Sequence, residues 1–176
     1  MTIHNVHLTR LRAVATTAAA AVAALTGCGV IMSDVDAVSD PLTPEQSRAQ
    51  VVDAATEIVT TLHLPVLRAA FLRDSCNDQG LPPFRGRVRI SYPRADTYRR
   101  SDAEIADMIE LLAAQGWADN PDFHSHSRAV AKNNVTAIFQ NQNASVVDRA
   151  IDVLGECRDI TTPRQLDADS EWITLP

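Results

Sequence analysis

Arg85-Gly86-Arg87-Val88-Arg89-Ile90-Ser91-Tyr92 alternates with a period of two. Val88, Ile90 and Tyr92 fall on one face, and Arg87, Arg89 and Ser91 on the other. Successive side chains of an extended chain point to opposite faces, so this is a strand with one face in a core and one toward water. Pro93 ends it, because proline cannot donate to a ladder. A sheet with one dry face needs a covering layer, and the flanking segments supply it.

Upstream, Thr43 stands as N-cap, Pro44 as first helical residue and Gln46 as the partner in a capping box. Val52, Ala55, Val59 and Leu62 recur at helical spacing, with Val51 and Ile58 beside them. Pro65 breaks or kinks this helix. Val66, Leu67, Ala70 and Phe71 continue an apolar helical face to about Arg73, and Asp74 to Gly80 is a loop. Downstream, Ser101 and Glu104 form a second capping box. Ile105, Met108, Ile109 and Leu112 make its apolar stripe. Gly116 stands where a helix C-terminal glycine belongs, with Trp117 folding back onto the core.

Arg128 to Gln140 reads as a hairpin around Asn133-Asn134, since asparagine tolerates the positive φ that tight turns need. Ser145 to Arg158 admits both a helix, stacking Val147, Ala150, Ile151 and Leu154, and a strand, aligning Val147, Ile151, Val153, Gly155 and Cys157. The density of β-branched residues and Gly155 favour the strand. Trp172, Ile173 and Leu175 are apolar enough to dock on the domain. The expected fold is α+β: two main helices packed on one face of a small, mostly antiparallel sheet, with one disulfide.

The N-terminal segment is a different matter. Arg10 and Arg12 are its only charges, and an apolar run follows from Ala13 to Leu25. Thirteen residues are too few to cross a hydrocarbon core of about 30 Å as a helix. Leu25-Thr26-Gly27-Cys28 is a lipobox: an aliphatic residue, two small ones that let a peptidase reach the bond, then a thiol that can take a diacylglycerol. Residues 1–27 are therefore expected to be a lipoprotein signal peptide. Residues 28–42 are a lipidated N-terminus and tether, and residues 43–176 a single α+β domain. Cys28 is the lipidation site, which places the domain on the extracytoplasmic face of the cell membrane. Two or more acyl chains give a stable anchor.

Composition narrows the partners. The whole chain carries a net charge of −6, and loss of Arg10 and Arg12 makes the mature chain more acidic. That argues against nucleic acid and against broad adhesion to anionic lipid. With Cys28 given to lipid, Cys76 and Cys157 remain, and in an exported domain two cysteines most simply form a disulfide.

The lipobox, the Cys76 loop, the Gly116-Trp117 helix end and Gly155-Glu156-Cys157-Arg158 together resemble the small Lpp-type lipoproteins of mycobacteria, the LppA- and LppJ-like groups. The resemblance runs over the whole chain. It implies a cell-envelope lipoprotein with a disulfide-bonded α+β domain, and it implies no activity or cofactor.

Three constellations bear on function. Arg85, Arg87 and Arg89 line one strand face, with Arg94, Arg99 and Arg100 nearby, as an anion- or acid-recognising surface would; a solvated face offset by neighbouring acids would look the same. His124-Ser125-His126 could offer two imidazoles to one metal, with Asp119 or Asp122 as a third ligand. Pro121 interrupts that segment and both free cysteines are committed, so no metal site is expected. Asp102, Glu104, Asp107 and Glu110 could pass for the paired carboxylates of glycoside chemistry, but helix periodicity accounts for them. The expected function is a non-enzymatic module recognising an envelope protein or polymer. The alternative is a carrier of a small apolar ligand or lipid. With aromatics at 5% of residues, the core is expected to be filled and to leave no ligand cavity.

Overall fold

The computed structural model describes residues 37–120, 123, 127–163 and 170–176. Helix α1 (Pro44–Leu62) is followed by strands β1 (Arg68–Ser75) and β2 (Phe84–Tyr92), helix α2 (Tyr98–Ala113) and strands β3 (Ala118–Asp119), β4 (Arg128–Lys132), β5 (Val135–Phe139), β6 (Arg149–Leu154) and β7 (Ser170–Ile173). The strands form one seven-stranded sheet in the order β3-β4-β5-β6-β2-β1-β7, and every neighbouring pair is antiparallel. Both helices contribute to a single hydrophobic core with the sheet. Among the described residues no helix is long and apolar enough to cross a membrane.

Helix α1 starts as its sequence dictates, with Thr43 and Gln46 exchanging both bonds of a capping box. Val51, Ala55 and Ile58 are wholly buried and Val59 nearly so; Val52 and Leu62 flank that stripe, partly buried. The helix does not resume after Pro65. His63 takes a left-handed conformation (φ 46°) and closes it. The segment expected to continue as helix to Arg73 is instead strand β1, paired with β2 on one side and β7 on the other. Alanine, leucine and arginine favour helix locally, but two ladders of backbone hydrogen bonds override that weak preference. Ala69 and Phe71 are buried on the helix side at the two-residue spacing of a strand.

Helix α2 begins earlier than its apparent capping box. Thr97 is the N-cap, its hydroxyl accepting from Arg100 N–H. Ser101 is fully buried instead, and Glu104 reaches arginines rather than a cap. The helix end matches expectation: Gly116 has φ 89° and Trp117 is buried. Asn133 and Asn134 both have positive φ between β4 and β5, as the hairpin needs. Residues 149–154 are strand, and all six are buried because β6 lies inside the sheet. Val147 stays outside it and is exposed. The C-terminal residues divide: Leu175 and Ile173 join the core, whereas Trp172 is 70% exposed.

The junction of α1 with the sheet turns on two glycines. A Cβ at Gly86 would lie 2.5 Å from Ser47 O and 2.9 Å from Val51 Cγ2. Ser47 Oγ accepts from Gly86 N–H at 2.8 Å, and Gly86 O accepts from Gly155 N–H at 3.0 Å. Each residue after Gly155 then holds a different neighbour. Glu156 takes a hydrogen bond from Gln50 Nε2 at 2.8 Å and gives its N–H to Gln50 Oε1 at 3.1 Å. Cys157 is disulfide-bonded to Cys76, Cα to Cα 6.0 Å. Arg158 binds Asp40 O, and its carbonyl accepts from Leu42 N–H at 2.9 Å. The end of the tether segment is thereby held against the domain.

Gly86→Ala is expected to destabilise the domain by about 1–3 kcal/mol, because backbone rather than a movable side-chain tip stands in the way. Urea unfolding would show it as a lower midpoint with an unchanged slope. Replacing Cys76 and Cys157 together by alanine opens a loop whose ends are 81 residues apart. The chain-entropy model sets that loss at about 4.5 kcal/mol, to be read from the same titration; a loss below about 1 kcal/mol would contradict it.

Candidate functional site

The most site-like feature is an apolar groove of about 310 Å³ where the end of α1, the end of β2 and helix α2 meet. Its position follows from two chain breaks. Helix α1 stops at Leu62, and Leu64 and Pro65 lead away from it along one wall. Helix α2 turns Ile105, Ile109 and Leu112 into the core, which aims Met108 and Leu111 at the opposite wall. Leu111 is 53% exposed. The core is closed at its centre, and the groove is an open depression at its edge rather than a cavity within it.

The groove also holds polar groups. Tyr92 is 1% exposed, and its hydroxyl is buried with no hydrogen-bond partner among the described residues. The Arg149 guanidinium lies over the Tyr92 ring, 4.6 Å from its centroid, a favourable stacking for a desolvated cation. Arg149 is itself buried. Its Nε donates to Pro93 O at 2.8 Å, and its Nη1 lies 2.7 Å from Glu104 Oε2. Glu104 Oε1 in turn accepts from Arg100 Nε at 2.9 Å. Asp107 stands exposed at the rim.

These contacts set the charge states. Partial burial pushes the Glu104 carboxyl up, but hydrogen bonds and charge from Arg149 and Arg100 outweigh it and leave the group below its ordinary value. Burial raises the Tyr92 phenol above its ordinary value; Arg149 opposes this and Glu104 adds to it. At neutral pH the groove therefore holds a neutral phenol and a closed ion pair.

The arginines of β2 do lie together on the sheet face away from the helices, but neighbouring strands meet them with acids. Arg87 Nη1 is 2.9 Å from Asp74 Oδ2. Arg89 Nη1 is 3.4 Å from Asp152 Oδ2, which also accepts from Gln140 Nε2 at 2.9 Å. Arg68 pairs with Asp148 at 2.8 Å on the same face. Arg85 stands opposite Asp74 across the β1–β2 ladder; burial lowers its pKa, with Asp74 opposing and Arg87 reinforcing the shift. Arg94 binds the carbonyls of Asn143 and Val146, bracing the loop before β6. The stripe is thus largely a cross-strand ion-pair ladder.

Cys28, Asp122, His124 and His126 lie outside the described residues. Asp119 is exposed on β3, and among the described residues no group of three metal-binding side chains gathers. Sequence reasoning placed Tyr92 on the inner face and Glu104 on α2, but it missed Arg149. A signal was available: with Ile151 and Val153 facing inward on a strand, residue 149 must face inward as well, and a buried arginine requires a partner.

The fold and its groove define a small disulfide-bonded α+β domain. Residues 43–175 match the family described as "Putative lipoprotein LppJ", and the chain belongs to that family of lipoproteins. Relatives of the same description in Mycobacterium tuberculosis (strain H37Rv) and Mycobacterium bovis are each 33% identical over 181 residues, covering 94% of this chain and 91% of the relative. Membership associates the chain with the membrane of the cell envelope. No solved structure matches it.

Glu104→Gln is expected to make the domain less stable at neutral pH. Because the folded carboxyl titrates below its ordinary value of 4.5, its contribution is present in full above that value. It is lost as pH falls through the folded-state pKa. Unfolding midpoints of wild type and variant should therefore differ at pH 7 and converge in strong acid. A gap of equal size at both ends would show that the ion pair with Arg149 is not its source.

Proposed function

We propose that the protein is acylated on Cys28 after removal of residues 1–27 and held by that anchor on the extracytoplasmic face of the cell membrane. Its domain there is a non-enzymatic binding module that meets an envelope protein or polymer. The observation that carries the first half is the conjunction of Leu25-Thr26-Gly27-Cys28 with a Cys76–Cys157 disulfide. Disulfides persist in oxidising compartments outside the cytoplasm, where a lipobox sends its domain. The charge states of the groove favour binding over catalysis. General acid–base work needs a group that titrates near the working pH, and Glu104 and Tyr92 are both displaced away from it.

A second reading, a carrier of a small apolar ligand, is favoured by one observation: the groove is walled largely by apolar side chains, and its lining includes Tyr92, whose buried hydroxyl has no partner among the described residues. The arginine ladder speaks less for an anionic partner, since two of the three arginines already hold carboxylates.

Mass spectrometry of the N-terminal peptide tests the anchor. The expected mature N-terminus is Cys28 carrying a diacylglycerol thioether, and Cys28→Ala leaves the precursor uncleaved and without lipid. An unmodified Cys28, or a mature end elsewhere, overturns the reading.

A further inference from the structure

We infer that the groove between the end of α1 and α2 takes a single-chain neutral amphiphile. Its aliphatic chain lies along Leu64, Met108 and Leu111, and a hydroxyl or ester carbonyl at its end hydrogen-bonds to Tyr92 Oη. This rests on the carrier reading and names the ligand class that the reading left open.

Three observations select that class. The first is size. A groove of about 310 Å³ stands at the bottom of the range for small-molecule sites, roughly 300–1,000 Å³, so it suits one chain rather than two. The second is the phenol. A buried hydroxyl without a partner is costly, and Tyr92 Oη is such a group in a residue only 1% exposed. It can donate to a carbonyl or hydroxyl oxygen, and it can also accept from a hydroxyl. The stacked Arg149 and its bond to Pro93 O hold the ring in place.

The third is charge. Arg149 is the groove's buried cation, and Glu104 already faces it at 2.7 Å. Arg100 takes the other oxygen of Glu104, and Asp107 stands exposed to water at the rim. A charged head carried in to Arg149 and Glu104 would lose its hydration and find those two already engaged with each other. A neutral head meets no such penalty.

The test uses the full acylated chain in phospholipid nanodiscs. It is exposed to diazirine-bearing probes of one chain length that end in a hydroxyl, a carboxylate, a quaternary ammonium or a bare methyl group. Peptide mapping should place saturable labelling by the hydroxyl probe in residues 62–65 or 98–113, competed by unlabelled long-chain alcohol. Tyr92→Phe should reduce that labelling roughly five- to tenfold, the effect of one hydrogen bond, and leave the methyl-ended probe unaffected. Its melting temperature should not fall, since the hydroxyl it removes has no partner among the described residues. Leu111→Asp, at an exposed position, should reduce labelling by every probe. Preference for the carboxylate or ammonium probe, or hydroxyl labelling unchanged in Tyr92→Phe, overturns the neutral amphiphile and leaves the carrier reading standing. Absence of saturable labelling in the groove by any probe overturns both.

Discussion

The close seating of α1 on β2 is the constraint from which the rest of the architecture follows. Ser47 Oγ accepts directly from a strand N–H at Gly86, so helix backbone and sheet backbone meet with no side chain between them. At ordinary separations helix and sheet are held apart by the side chains of both. Here one residue without a Cβ removes that spacer, and Gly155 repeats the device on the adjoining chain segment, facing Gln50 and Val51. The N-terminal half of α1 is thereby pinned, and the stripe of Val51, Ala55 and Ile58 comes down on the middle of the sheet.

That pinned end gathers much of the covalent and polar bracing. Gly155-Glu156-Cys157-Arg158 runs beneath α1 and holds, in turn, the strand, the helix side chain Gln50, the β1–β2 loop through Cys76, and the segment leading into α1. The opposite end holds the groove. Helix α1 closes at His63 and the chain leaves through Pro65, so the two helices part over the end of β2. A buried ion pair of Arg149 with Glu104 spans the gap from sheet to helix where apolar packing gives out.

The two faces of the sheet use charge differently. On the helix side, the charges described are a few separate pairs: Arg149 with Glu104 in the groove, Lys132 with Glu57 beside Trp117, and Arg48 with Glu171. On the other side, arginines of β1 and β2 meet aspartates of neighbouring segments, so a run of like charges along one strand becomes a mixed lattice across several. Pairs of this exposure contribute little each to stability. Their effect is to spread positive charge that would otherwise stand as a block.

Much of this was legible in the chain alone, wherever a physical rule acts over a few residues. Alternation marked β2 and its buried Tyr92, side-chain oxygens marked the start of α1, and glycine and asparagine marked positive φ at Gly116, Asn133 and Asn134. Cysteine count marked the disulfide. What the chain could not announce was decided by partners distant in sequence. Residues 68–75 have helical composition and become a strand because β2 and β7 offer ladders on both sides. Ser101 and Glu104 have the spacing of a cap, yet Thr97 takes that role while Glu104 turns to Arg149 from another strand. The arginine stripe admits both a recognition surface and a face offset by acids until register sets Asp152 beside Arg89. Local rules determine which segments can be helix or strand, because they depend on spacing along one chain. Pairing, and the groove that pairing leaves open, depend on which segments meet, and only the assembled fold decides that.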